Sequence, residues 1–324
     1  MRFQNSAQIS IIMNHYNTSI QTHPKLHLHA LSLTDRDWIT RLVRIENSKS
    51  ADFNFGNLFL WDQTYCPKVA QFDDRLIIEY QKDDTLYFSC PIGEGPLDSA
   101  VIALQTYADS HGFPLLLRGI TTDYKEELEQ LFPDCFTFTP DTDFFDYVYE
   151  AEKLATLQGK KLHGKRNHVN RFEAEHDWQF VPLTQAYLPV CRAFLQQWIA
   201  HHDIDAKEER MALERAFLHF NDLGLEGGAL LIGEELVGFT IGEPIADDTF
   251  DVHFEKARSD INGAYSMVNR EFVRQILERH PEIVYINREE DMGLENLRLA
   301  KQSYHPAFLV EKYTARLNDG SSLL

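Results

Sequence analysis

No stretch of this chain approaches the roughly 18 uncharged apolar residues that a membrane helix requires, so the sequence offers no candidate span. Cysteine is scarce: Cys66, Cys90, Cys135 and Cys191 lie far apart, with no C-x-x-C pair and no histidine at metal-ligand spacing. They read as reduced, mostly buried thiols rather than a disulfide framework. Missing too are H-E-x-x-H, a P-loop, an EF-hand loop and G-x-S-x-G. These absences predict no metal, no nucleoside triphosphate and no serine nucleophile. Residues 1–22 have only a short apolar patch (9–13) and no small-residue cleavage pattern, so a secretory signal is not expected and the predicted location is cytoplasmic.

Positive charge is also in short supply. The 324 residues hold 50 acids against 31 Lys and Arg, a net charge of −19, which repels nucleic acid and anionic membranes at long range. One window departs from this. Residues 159–172, GKKLHGKRNHVNRF, contain five of the 31 cations and none of the 50 acids, leaving −24 for the rest of the chain. A basic window on an acidic body is a candidate anion site.

The length suggests two domains, and the pattern of elements divides the chain near residue 150. Runs at 69–72 and 76–80 flank the turn Asp73-Asp74, a hairpin signal. A strand (85–90), a helix (97–111), a strand (115–117), a short helix (124–131) and a closing strand (144–149) follow. The second half repeats that order: strands 229–232 and 236–241 about the turn Glu234-Glu235, strand 250–255, helix 264–279, strand 283–286, helix 294–304 and a last strand 308–314. In front of that repeat lie a basic helix from Gly159, a strand 179–181 and helices near 188–201 and 207–220. The expected organisation is a disordered extension (1–24), a first unit (25–150), a second unit (151–317) and a tail (318–324).

With this order of elements the second half resembles the GNAT (N-acetyltransferase) fold. More specifically, FNFGNLFLW (53–61), DYVY (146–149) leading into GKKLHGKRNHVNRF, and NREEDMGLENLRLAKQSYHP (287–306) resemble a bacterial family of unassigned function. That family is related to the C-terminal domain of phosphatidylglycerol lysyltransferase and, more distantly, to the Fem-type peptidoglycan-bridge aminoacyltransferases. The resemblance runs from about residue 25 to 317. It implies an α/β (α+β) fold of two tandem GNAT-like mixed-sheet domains, and transfer of an acyl or aminoacyl group from a phosphate-bearing donor such as aminoacyl-tRNA to an amine or hydroxyl. The lysyltransferase presents a lipid acceptor beside a membrane domain; here a soluble acceptor is expected. Acetyl-CoA-dependent members carry an R/Q-x-x-G-x-G/A loop, of which EKARSDINGAYSM (255–267) keeps only Gly263-Ala264. An acyl-CoA donor, and a non-catalytic ligand- or RNA-binding module, remain the alternatives. A steep salt dependence of binding would favour tRNA.

Acyl transfer needs a base, donors for the developing oxyanion and an anchor for the donor phosphates. Read as a helix, the basic window puts Lys161, Lys165 and His168 on one face, with Arg166 and Arg171 beside them as anion-binding candidates. On the strand 250–255, Asp251, His253 and Glu255 alternate onto one face, opposite Val252 and Phe254. Glu255 is the first candidate base and His253 the second. The loop Asn287-Arg288-Glu289-Glu290-Asp291 follows a strand, where α/β folds gather binding residues. Arg288 is a candidate for the donor anion, Asn287 and Glu289 for substrate, and Asp291 for proton transfer or for capping the next helix. At that helix's end Lys301 is a substrate-binding candidate and Tyr304 a proton donor or a packed core residue.

Overall fold

The computed structural model describes residues 26–202 and 207–323; the extension expected over residues 1–24 lies outside them. The first half supplies strands β1 (His29–Ala30), β2 (Lys68–Phe72), β3 (Arg75–Lys82), β4 (Thr85–Ser89), β5 (Ile92–Gly93), β6 (Leu116–Thr121), β7 (Phe136–Pro140) and β8 (Asp146–Glu150). The second supplies β9 (Trp178–Pro182), β10 (Glu226–Ile232), β11 (Glu235–Ala246), β12 (Thr249–Ala257), β13 (Tyr285–Asn287), β14 (Phe308–Val310) and β15 (Lys312–Leu317). Local chemistry accounts for the two hairpins. Asp73 and Asp74 both adopt positive φ between β2 and β3, the backbone that a tight two-residue turn demands. In the second hairpin Ile232 pairs with Glu235, which moves the turn to Gly233-Glu234 from the expected Glu234-Glu235.

One sheet runs β1-β2-β3-β4-β6-β15-β7 and the other β14-β8-β13-β12-β11-β10-β9. Read from β2 and from β10 the two orders coincide, and both are mixed: β4 pairs parallel with β6, and β12 with β13. The fold is therefore α/β with two GNAT-like mixed sheets. Each half also lends its final strand to the other. β8 enters the second sheet between β13 and β14, and β15 enters the first between β6 and β7. Sheet membership thus crosses the expected division at residue 150. It also corrects the single strand expected over 308–314: the chain pairs in one sheet through Val310, passes Glu311 and pairs in the other from Lys312. The exchanged strands meet at a buried ion pair, Lys312 Nζ lying 2.7 Å from Asp146 and 2.8 Å from Asp52. Burial alone would lower the lysine, but the two aspartates raise its ammonium above its ordinary range.

Two cores result. The larger joins the first sheet, the helices Leu188–His202 and Lys207–Leu218, and one face of the second sheet through Phe239, Ile241 and Phe254. The smaller lies between that sheet's other face and the helix Ala264–Arg279, through Phe250, Val252, Met267 and Phe272. All four cysteines are free, with Cys90 and Cys191 buried and Cys66 exposed. Among the described residues no helix is long and apolar enough to cross a membrane.

Candidate functional site

The helix Ala264–Arg279 begins directly after the loop that leaves β12. Its N-cap is Gly263 at φ +87°, and no side chain caps the first turn. A Cβ at Gly263 would sit 2.5 Å from the His168 carbonyl oxygen, so the close approach of the loop to the helix His163–Glu175 requires glycine. Between them lies a cleft of about 460 Å³ lined by Lys165, His168, Asn262, Gly263, Tyr265 and Ser266, among others. His168 Nδ1 and Asn262 Oδ1 are 2.7 Å apart across it. Asp260, an unfavourable charge for an anion site, is engaged by Arg258 at 2.6 Å. Uncapped first-turn N–H groups beside a lysine and a histidine form an anion-receptive end.

Behind the cleft the Lys165 ammonium lies 4.1 Å over the Tyr304 ring, and the Arg288 guanidinium 4.9 Å over the same ring. Arg288 Nη2 donates to Glu255 Oε1 at 3.0 Å, and Asn269 Nδ2 to Glu255 Oε2 at 3.1 Å. The second guanidinium nitrogen, Nη1, is buried and has no hydrogen-bond partner among the described residues. Burial, reinforced by Arg288, lowers the Lys165 ammonium below its ordinary range, with Glu255 opposing. The Tyr304 hydroxyl, raised by burial, lies 3.4 Å from the Ser266 hydroxyl.

The expectation that Asp251, His253 and Glu255 share one face does not hold. In the β11–β12 ladder Ile241 pairs with Phe254 but Gly242 pairs with Val252, so His253 is the extra residue of a β-bulge. A bulge inserts one residue and resets the alternation. Phe250 and Val252 remain on the face of the helix Ala264–Arg279, where Glu255 meets Asn269, whereas Phe254 joins the larger core. His253 belongs with that opposite side and is not beside Glu255. Its Nδ1 lies 3.0 Å from Glu289 Oε1 and 3.2 Å from Asp251 Oδ2; its Nε2 lies 3.0 Å from Glu243 Oε1. Burial alone would lower the imidazole, yet these carboxylates raise it well above its ordinary value. Burial pushes the Asp251 carboxyl well up.

Several other candidates have structural partners. Arg166 donates to the carbonyls of Leu157 and Gly159, closing the turn before its own helix. Arg171 is exposed and pairs with Glu175 one turn on, at 2.8 Å. Lys161 is exposed and precedes the helix, which starts only at His163, so it does not continue the Lys165–His168 row. Of the acid-free window, Lys165 and His168 line the cleft. Lys301 is buried and donates to the carbonyls of Arg288, Glu289 and Glu290, tying the loop instead of facing a substrate. Asn287 donates to the Lys49 carbonyl (2.8 Å) and Asp146 (3.1 Å) and accepts from the Glu289 N–H (2.7 Å). Asp291 is held at about 2 by Arg298, with Tyr147 and the Gly293 N–H completing its shell. A carboxylate held that low is poorly placed to take up a proton. Asn269, Tyr265 and Asn262 were not read from the sequence. Asn269 did leave a signal, a polar residue one turn from Phe272 on the apolar stripe of its helix.

Comparison with known proteins bears on this geometry. The family described as phosphatidylglycerol lysyltransferase, C-terminal, matches residues 43–316. A crystal structure of a conserved protein of unknown function from Bacteroides thetaiotaomicron VPI-5482 is 37% identical, covers 90% of this chain and 100% of its own, and superposes with a TM-score of 0.86. The C-terminal domain of a candidate lysylphosphatidylglycerol synthetase from Agrobacterium fabrum is 15% identical over 89% of this chain and 93% of its own, with a TM-score of 0.62, a likeness of fold. An uncharacterized protein of Mycoplasmoides gallisepticum is 27% identical over 53% of this chain; the match spans 56% of that protein's length.

Proposed function

The chain belongs to the phosphatidylglycerol lysyltransferase C-terminal family, and from that premise we propose that it is an aminoacyltransferase moving an aminoacyl group from the phosphate-bearing end of an aminoacyl-tRNA to an amine or hydroxyl acceptor. The observation that carries this reading is the cleft at the uncapped start of the helix Ala264–Arg279, with Lys165 leading from it to the Arg288–Glu255 pair. The phosphate of the donor's terminal nucleotide is held by Lys165, His168 and the first-turn N–H groups. The ester carbonyl then points to Arg288, whose free Nη1 donates to the oxygen as negative charge develops there.

The acceptor nitrogen or oxygen bonds to the carbonyl carbon, the ester C–O bond breaks, and the acceptor's proton passes to Glu255. It returns to the departing ribose oxygen through the Tyr304 and Ser266 hydroxyls. Only the terminal part of a tRNA fits this scheme, because a body of net charge −19 repels an extended phosphate backbone.

The test is incubation of the full chain with labelled aminoacyl-tRNAs and, separately, with labelled acyl-CoA esters, over pooled amine and lipid acceptors. Label leaving aminoacyl-tRNA for an acceptor, and lost in Lys165→Ala, supports the reading. Consumption of CoA esters alone replaces the donor, and turnover of neither removes the transferase assignment.

A further inference from the structure

The far side of β12 carries a group of side chains that the transfer reaction does not use. Asp251 and His253 come from β12, Glu243 from β11 and Glu289 from the loop after β13. The donor atoms of Asp251, His253 and Glu289 all lie within 4.8 Å of one another. The Asp251 and His253 side chains are fully buried, and those of Glu243 and Glu289 are 11% and 15% exposed. Three carboxylates thus surround one imidazole. Were all three ionised, even a charged imidazolium would leave two negative charges in a place that water hardly reaches. Among the described residues every ion pair of these three acids runs to His253; Lys312 is taken by Asp52 and Asp146, and Lys301 by backbone carbonyls. Neither oxygen of Asp251 accepts a hydrogen bond. A buried carboxylate in that state is costly unless a cation completes it.

The surroundings hold these donors in place. Asp251 and His253, two residues apart on β12, point to the same side, and the bulge at His253 turns Glu255 to the other. Glu289 sits at φ +55°, fixed by its N–H to Asn287 Oδ1, and receives Asn57 Nδ2 at 3.2 Å. Gly56, on the helix Phe55–Leu60 of the first half, leaves room for Glu243: a Cβ there would stand 1.6 Å from Glu243 Oε1. A cavity of about 100 Å³, lined by Asn54, Gly56 and Glu243 among others, opens onto Glu243.

We propose that Asp251, His253 and Glu289 form a divalent-cation site. His253 binds the ion through Nδ1, while Nε2–H donates to Glu243, which fixes the ring and its tautomer. One imidazole nitrogen with carboxylate oxygens suits Mn²⁺, Fe²⁺ or Zn²⁺ better than Ca²⁺ or Mg²⁺. Its ligands span positions 251 to 289, a spacing outside the local motifs by which metal sites are read from sequence. The ion's place in the fold gives it a role. Glu289 reaches it on one side of the sheet while the adjacent Arg288 reaches Glu255 on the other, so metal binding fixes the loop that presents the guanidinium. The site stands on its own geometry and does not depend on the transfer chemistry.

The full chain, stripped with a chelator and dialysed, is titrated with Mn²⁺ or Zn²⁺ alone by calorimetry, and its thermal unfolding is followed against free ion concentration. One ion per chain, with a Tm that rises with ion concentration, is expected. Asp251→Asn and Glu289→Gln should lose that uptake, and Glu243→Gln should weaken it about 10- to 100-fold. Asp251→Asn should unfold in chelator at the wild-type temperature or above, because the variant removes a buried carboxyl group whose oxygens accept no hydrogen bond, and this separates lost ligation from lost folding. No stoichiometric uptake by wild type, with Tm unmoved by either ion, overturns the proposal. So does uptake that survives unchanged in Asp251→Asn and Glu289→Gln, which would place the ion elsewhere.

Discussion

The two halves build the same sheet order and differ where the helix after the central strand begins. In the first half the helix Leu97–Ser110 has Pro96 at its N-cap, a residue with no N–H. The loop before it is closed from within: Arg75 donates to the carbonyls of Gly95 and Pro91, and a Cβ on Gly95 would stand 1.5 Å from the Asp73 carbonyl oxygen. In the second half Arg258, at the start of the equivalent loop, is tied to Val237 and Glu235 of the hairpin, but the end of the loop faces Lys165 and His168 across a cleft of about 460 Å³. Strand pairing and the apolar stripe of the helix are needed by both copies to fold. The loop between them is not, so the same scaffold closes one copy with its own guanidinium and leaves a cleft in the other.

That contrast is most exposed to Glu255→Gln. The amide oxygen still accepts from Arg288, and the amide NH2 can donate to Asn269 Oδ1 once that side chain turns over, but the group accepts no proton; a loss of ~10²- to 10⁴-fold in kcat is expected with donor affinity little changed. Ser89, at the end of the corresponding first-half strand, should tolerate Ala with kcat/KM unaltered; a comparable loss there would mean that both copies act.

The next largest effect concerns what joins the halves. Lys312→Met strands Asp146 and Asp52, and a loss of about 3–5 kcal/mol in urea unfolding is expected because a buried charge is left unpaired. A loss under ~1 kcal/mol would show that the exchanged strands are held by ladder pairing alone.

Lys165→Ala should raise the KM for donor about 10- to 100-fold, the worth of a charge-assisted contact of roughly 1.5–3 kcal/mol. The pH profile sharpens this. Burial lowers the Lys165 ammonium, so the free protein loses that charge at lower pH than an ordinary lysine would. Donor affinity should therefore fall as pH rises through this lowered value, and Lys165→Arg, which stays charged, should carry the limb to higher pH. A profile identical in Lys165→Arg assigns the limb to another group. The smallest effect is expected at Arg171→Ala, within about 2-fold in kcat/KM, since an exposed i,i+4 pair contributes little.

Much of the repeat could be read from the sequence because its signals are local. Asp73-Asp74 between two apolar runs marks a turn by the residues themselves, and the apolar stripe from Ala264 with a stop before Pro281 gives the helix Ala264–Arg279 at both ends. The basic window was visible as composition, but not which of its cations turn inward: Lys165 and Arg166 are neighbours, and only packing against Tyr304 and against the Leu157 carbonyl tells them apart. Glu255 and Arg288 were legible as residue types on a strand and on the loop after one. Their meeting was not, because it depends on β12 and β13 lying side by side. The bulge at His253 was hidden because a period-two reading assumes an unbroken ladder, and the extra residue is defined only by what Gly242 and Ile241 pair with across the sheet. The exchange of β8 and β15 escaped for the same reason: an apolar strand states that it will be buried, not in which sheet. The sequence by itself therefore determined the order and type of the elements, since propensity, turn chemistry and periodicity act over a few residues. The tertiary structure alone decided which faces those elements present to one another, since that depends on contacts between residues far apart in the chain.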